Sequence, residues 1–167
     1  MVAAAGDERV EVVDADGSVV DVVSRREMRA QRLRHRTVFV VVQSTDGRVL
    51  VHQRSADKDI WPSWWDMAVG GVVGLGEDWD TAARREVEEE IGVVADPVPI
   101  DDGELALYED DMVSLVGRRY RVVHDGPFTF ADGEVVQARF VTRDELTRLV
   151  DEVPFLPDSL QILLPLI

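Results

Sequence analysis

A chain of 167 residues, 46% apolar and 31% charged, is long enough for one domain with a buried core, and its apolar content excludes bulk disorder. The net charge of −15 argues against nonspecific nucleic-acid binding, which needs a basic surface, and no apolar run is long enough to span a bilayer. Cysteine is absent, so disulfides, a thiolate nucleophile and thiolate metal sites are excluded; MVAAAGDERV at the start lacks both the basic residues and the apolar stretch of a secretory signal, and the expected compartment is the cytoplasm.

Val10–Val13 and Ser18–Val23 are short β-branched runs around Asp14-Ala15-Asp16-Gly17, which predicts a hairpin. Ser24 is the expected N-cap of a basic helical segment over Arg25–Arg34. Thr37–Gln43 (TVFVVVQ) reads as a strand buried on both faces. Thr45-Asp46-Gly47 turns the chain, and Arg48–Arg54 (RVLVHQR) is expected to return beside that strand as a hairpin. Asp57–Asp66 (DKDIWPSWWD) is a loop with three of the four tryptophans, and Met67–Val73 is a glycine-broken strand. Further strands are expected at Glu104–Tyr108, Val113–Val123 and Val135–Val141. Thr142 caps a helix from about Arg143 to Val150, and an apolar, proline-punctuated tail packs on the core. This non-alternating order predicts a mixed sheet with helices on its faces, not a doubly wound parallel sheet.

Most of the chemistry lies in Gly71–Val93, GVVGLGEDWDTAARREVEEEIGV. Asp78 stands where an N-cap belongs and Gly92 where a C-terminal glycine belongs, so about Trp79–Ile91 is a helix. At 3.6 residues per turn Glu86, Glu89 and Glu90 share one stripe, while Ala83, Val87 and Ile91 form the neighbouring apolar stripe that docks on the sheet. Three like charges on one turn repel unless something neutralises them, and hard divalent cations with oxygen ligands do so, Mg2+ above all where phosphates complete the shell. Gly71, Gly74 and Gly76 let the preceding loop turn tightly and bring backbone close to a metal or phosphate. Glu77 and Arg85, eight residues apart, are within reach of a salt bridge that pins this loop to the helix.

The spacing G-x5-E-x7-R-E-U-x-E-E-x-G-U, with U aliphatic, resembles the signature of the Nudix hydrolases, and each fixed position is filled. Arg34-His35-Arg36, the VHQR run, Lys58 with Trp61-Pro62, Trp65-Asp66 and the N-terminal hairpin are similar to the isopentenyl-diphosphate-isomerase-like branch of that superfamily. The resemblance implies an α/β/α sandwich with a mixed sheet (residues 36–167), preceded by a hairpin-and-helix extension (residues 1–35). It implies hydrolysis of a diphosphate linkage in a nucleoside diphosphate carrying another group, with Mg2+ or Mn2+ activating water. Glu86, Glu89 and Glu90 would be metal ligands, Glu89 or Glu90 nearest the base role, and the Gly71 carbonyl a further ligand. Glu134 resembles a recurrent glutamate near the metals, whereas Glu109, Asp110 and Asp111 are expected as surface charge. Glu77, Arg85 and Gly92 would be structural. Arg54 and Lys58 are candidate phosphate contacts, and Trp61, Trp64 and Trp65 either stack on a base or are buried against the hairpin. His35, His52 and His124 are expected to be structural. The resemblance also allows a homodimer.

Two other readings compete. Isopentenyl-diphosphate isomerases use a cysteine in proton transfer, and this chain has none. A silent nucleotide sensor on the same fold would be expected to show an eroded signature, and this one is intact. Sugar nucleotides, dinucleoside polyphosphates, dinucleotide cofactors, coenzyme A and simple nucleotides are all served by such a helix, so the substrate is not written in it.

Overall fold

The computed structural model describes residues 5–130 and 133–167. The elements begin with β1 (Arg9–Val13), β2 (Val19–Ser24), α1 (Arg25–Ala30), β3 (His35–Gln43), β4 (Val49–Arg54), β5 (Trp65–Asp66) and β6 (Val69–Val72). They continue with α2 (Trp79–Ile91), β7 (Val98–Pro99), β8 (Leu105–Glu109), β9 (Ser114–Val123), β10 (Val135–Val141), α3 (Arg143–Glu152) and α4 (Pro157–Leu163).

Strand β3 is the axis of a mixed sheet. Alternate side chains of its apolar run serve opposite faces, Phe39 and Val41 entering one core cluster and Val38, Val40 and Val42 the other. One edge pairs antiparallel with β6, from Thr37 opposite Val72 to Val40 opposite Val69. The other runs parallel to β9, from His35 opposite Leu115 to Gln43 opposite Val123. Ala83, Val87 and Ile91 dock α2 on one face, and Leu146 and Leu149 of α3 with Ile162 and Leu163 of α4 fill the other. Helices therefore cover both faces, as the mixed pattern requires.

The expected hairpin of β3 with β4 forms only at its base. Gln43 pairs with Val49, and from there β4 runs antiparallel to β10, Val49 opposite Val141 and Arg54 opposite Val135. The cause is competition, since both edges of β3 are occupied over Thr37–Val40 by β6 and β9. Helix α1 is also shorter than its polar run suggests. Ser24 caps it by accepting from the Glu27 amide at 3.1 Å, but Arg32 adopts φ +52° and the chain turns into β3. The tail after α3 is itself helical, with Phe155, Leu156, Ile162 and Leu163 buried.

The N-terminal hairpin folds where predicted, around Gly17 at φ +80°. Val10, Val12, Val23 and Met28 form their own small core, closed by Leu33 and by Val72 of β6. Residues 1–4 of the expected extension, and Asp132 just ahead of Glu134, lie outside the described residues. Among the described residues no helix is long and apolar enough to cross a membrane.

Candidate active site

Strand β6 delivers the chain to a loop, Val73–Asp78, that turns into α2. Gly76 takes φ +70°, a conformation that a side chain would strain. Asp78 accepts from the Thr81 amide at 2.8 Å, and Gly92 ends the helix at φ +69°, with its amide donating to the Glu88 carbonyl. The predicted helix limits, Trp79 and Ile91, are the observed ones.

Arg85 organises the site. Its Nε and Nη2 donate to the two carboxylate oxygens of Glu77, each at 2.9 Å, and Nη2 also reaches the Val72 carbonyl at 3.2 Å. Nη1 donates to Glu86 at 2.7 Å and to Glu89 at 3.2 Å. Glu77 in turn accepts from the Gly74 amide at 2.7 Å, so the loop is fastened to the helix by a bidentate pair. Glu11 of β1 fastens it from outside, accepting from the Gly76 amide at 3.1 Å and from Arg36.

Glu86 and Glu90 are buried and Glu89 is exposed, all facing a cleft of about 520 Å³. Burial, opposed by Arg85, pushes the Glu86 carboxyl up; burial and then Glu86 push Glu90 well above the usual carboxylate range. Glu8, Glu77, Glu86, Glu89, Glu90 and Glu134 line the cleft against only Arg25, Lys58 and Arg85. Such an excess of hard oxygen donors fits a divalent cation. Gly71 fits it too: a β-carbon there would lie 2.7 Å from Glu86 Oε1, so only glycine leaves that flank of the carboxylate open. Among the described residues no three acidic or imidazole groups already enclose one point, because Glu86 and Glu89 are turned onto Arg85.

Glu134 reaches the same cleft from the start of β10, its carbonyl accepting from the Ser55 amide at 2.8 Å and its carboxylate paired with Lys58. Lys58 is thereby committed to a carboxylate within the cleft. Arg54 lies deeper and donates from Nη2 to the Ile60 carbonyl at 3.1 Å. Trp61 is buried beside it on an inner cavity. Trp65, expected to stack on substrate or against the hairpin, does neither; it is buried in the main core with its ring 6.4 Å from Phe155. Glu109 pairs with Arg32 and Arg34, and Asp110 accepts from the Met112 and Val113 amides, away from the cleft.

The histidines are structural in their surroundings. His35 Nδ1 lies 3.0 Å from the Leu33 carbonyl, which can only accept, so Nδ1 carries the proton. Burial pulls its pKa down to about 4. His52 is buried and shifted down by the same cause, and His124 accepts from the Gly126 amide at 2.9 Å.

Arg25, Asp66 and Asp158 are among the groups that went unrecognised as site residues in the sequence. Arg25 of α1 lines the cleft, within a basic run that gave the only signal. Asp66 and Asp158 are buried on the inner cavity; burial and then Asp66 push the Asp158 carboxyl up to about 7. Asp158 sits in an apolar tail with nothing nearby to mark it.

A sequence model of the NUDIX domain matches residues 33–161. The Salmonella typhi Nudix hydrolase YfcD is 40% identical over 159 residues, covering 95% of this chain and 84% of its own length. Streptomyces coelicolor Nudix hydrolase SCO1686 is 37% identical over 166 residues, covering 92% and 85%. Among solved structures, DR0079 from Deinococcus radiodurans has a TM-score of 0.74 at 24% identity, covering 93% of this chain and 96% of that one. The E. coli dihydroneopterin triphosphate pyrophosphohydrolase has a TM-score of 0.56 at 23% identity, covering 68% and 84%. These two likenesses show the fold alone.

Proposed function

The chain belongs to the NUDIX family, and from that premise we propose that it is a divalent-metal-dependent pyrophosphohydrolase. Its substrate is a nucleoside diphosphate joined to another group, split into a nucleoside monophosphate and a phosphorylated remainder. The observation that carries this is that Glu86, Glu89 and Glu90 share one flank of α2, two of them buried, with the Glu86 carboxylate close against Gly71.

Those three carboxylates and the Gly71 carbonyl would hold Mg2+ or Mn2+. Such an ion, when bound, supplies charge neutralisation at phosphorus and a water of lowered pKa. The chain's own groups do the rest. Arg85 fastens the loop to the helix through Glu77 and holds Glu86 and Glu89, which would turn from it to take up the ion. Glu89, the exposed member, and Glu90 are the candidates to accept a proton from water entering the cleft, with Glu134, which lines the same cleft, as a further one. Lys58 and Arg25, paired with Glu134 and Glu8, are the cleft cations that would exchange those partners for the diphosphate. Residues 1–35 are taken as an extension, of which Glu8 and Arg25 line the cleft, ahead of a hydrolase domain spanning 36–167.

The test is hydrolysis across a panel of nucleoside diphosphate derivatives with Mg2+ and Mn2+, beside Glu89→Gln. Metal-dependent release of nucleoside monophosphate, lost in the variant, is the expected result. Tight nucleotide binding with no turnover on any member would replace the hydrolase by a sensor.

A further inference from the structure

Behind the catalytic cleft lies a second, smaller cavity of about 100 Å³. The two share Arg25, Lys58, Gly70, Gly71, Val72 and Glu90 as walls, so a molecule whose diphosphate rests on the glutamate helix can extend into the smaller one. The inner walls come from distant parts of the chain: Thr37 of β3, Arg54 of β4, Trp61, Asp66 of β5 and Asp158 of α4.

Among the described residues, two buried polar atoms in these walls have no hydrogen-bond partner, Thr37 Oγ1 and Arg54 Nε. Thr37 itself is only 9% exposed. Buried hydrogen-bonding groups are ordinarily satisfied, so unpartnered ones on a cavity wall mark what an occupant supplies. The charges of the inner part constrain that occupant. Arg29 is neutralised by Asp59 at 3.1 Å, leaving the Arg54 guanidinium facing Asp66 and Asp158. An anion entering would meet two carboxyl groups, and a cation would meet the guanidinium. An uncharged group that both donates and accepts meets neither penalty.

Size narrows the choice further. A cavity of ~150 Å³ holds one benzene ring, so a space smaller than that does not admit a nucleobase. Water meets the same demands, and a hydroxyl can displace it while keeping the hydrogen bonds. We propose that this inner cavity is the subsite for the group beyond the diphosphate, and that it selects a small, uncharged, hydroxyl-bearing group while nucleobases stay in the outer cleft. Thr37 and Asp158 are then specificity-determining residues. The proposal rests on the hydrolase reading for which end of the substrate faces the helix.

The experiment compares three esters of one nucleoside diphosphate, ADP-glycerol, ADP-choline and the dinucleotide diadenosine diphosphate. Their affinities are measured by calorimetry on the full chain carrying Glu89→Gln, with Mg2+ present, so that turnover does not intervene. The glycerol ester is expected to bind at least tenfold more tightly than the other two. Adding Thr37→Val, or Asp158→Asn, which keeps an acceptor for the Ser159 amide, should narrow that preference to under threefold. Equal affinities, a preference for choline or the dinucleotide, no binding of any ester, or an unaltered preference in both variants overturns the cavity assignment. The predicted ranking without hydrolysis by the unsubstituted protein overturns the hydrolase reading and leaves the subsite standing.

Discussion

Gly71 and Glu86 occupy adjoining space so closely that a β-carbon on the first would sit 2.7 Å from Oε1 of the second. The backbone of Gly71 is ordinary β6 strand, so alanine there strains no dihedral and acts through the carboxylate alone. Gly71→Ala is expected to lower kcat at least tenfold, about 1.4 kcal/mol of barrier, while the protein still melts cooperatively. Steady-state kinetics beside a thermal melt checks this, and a variant with unchanged kcat would remove Gly71 from the site.

Glu90 is buried among carboxylates, which costs stability until something neutralises them. Glu90→Gln in chelator should therefore melt above the unsubstituted protein. Millimolar Mg2+ or Mn2+ should raise the melting temperature of the latter and leave the variant nearly unmoved, because an ion bound only by the folded state stabilises it. A variant that gains as much from metal as its parent would show that Glu90 is not a ligand. Turnover by the variant is expected to fall by orders of magnitude.

Arg85→Met leaves Glu77 with most of its carboxylate covered and its bidentate partner gone. Because Arg85 itself is partly open to solvent, the expected cost is about 2 kcal/mol rather than the full penalty of a sealed pair. Denaturant unfolding measures it. Activity should fall further than stability, since the same guanidinium holds Glu86 and Glu89.

Asp158 and His35 predict opposite pH dependences. Asp158 is raised to about 7, so it favours folding at low pH, and that contribution is lost as pH climbs from about 4 through 7. Asp158→Asn should then be more stable than its parent at pH 8, by about 4 kcal/mol at most, with the gap closing near pH 4. His35 is lowered to about 4 and stays neutral in the folded protein. Its contribution is present above pH 6.5 and is lost as pH falls from there to 4. His35→Asn, which retains a donor for the Leu33 carbonyl, should flatten that acid limb. Parallel pH–stability curves for parent and variant would refute either assignment.

The glutamate helix was legible because the determinants of its ends are local. Asp78 and Gly92 act within four residues of their partners, Thr81 and Glu88, and the observed limits follow from them. The pairing of β4 was not, because it depends on which strands occupy the edges of β3, and β6 and β9 are distant in sequence. Trp65 reads the same whether it faces a ligand or Phe155, and only the path of the chain after α3 decides. The inner cavity was illegible for that reason. Thr37, Asp66 and Asp158 carry no mutual spacing, and their meeting is a product of the whole fold.

Glu11 touches both Arg36, at the start of the central strand, and the Gly76 amide, at the tip of the catalytic loop. A residue added or removed within β1 would reverse which side of the hairpin Glu11 faces. The hairpin is thus a ruler for the active site, and its length is as constrained as that of the glutamate helix. Variation in chain length is better absorbed at the opposite end of the central strand, where the Thr45–Gly47 turn is exposed and, among the described residues, bonds only to its own neighbours and Asp125.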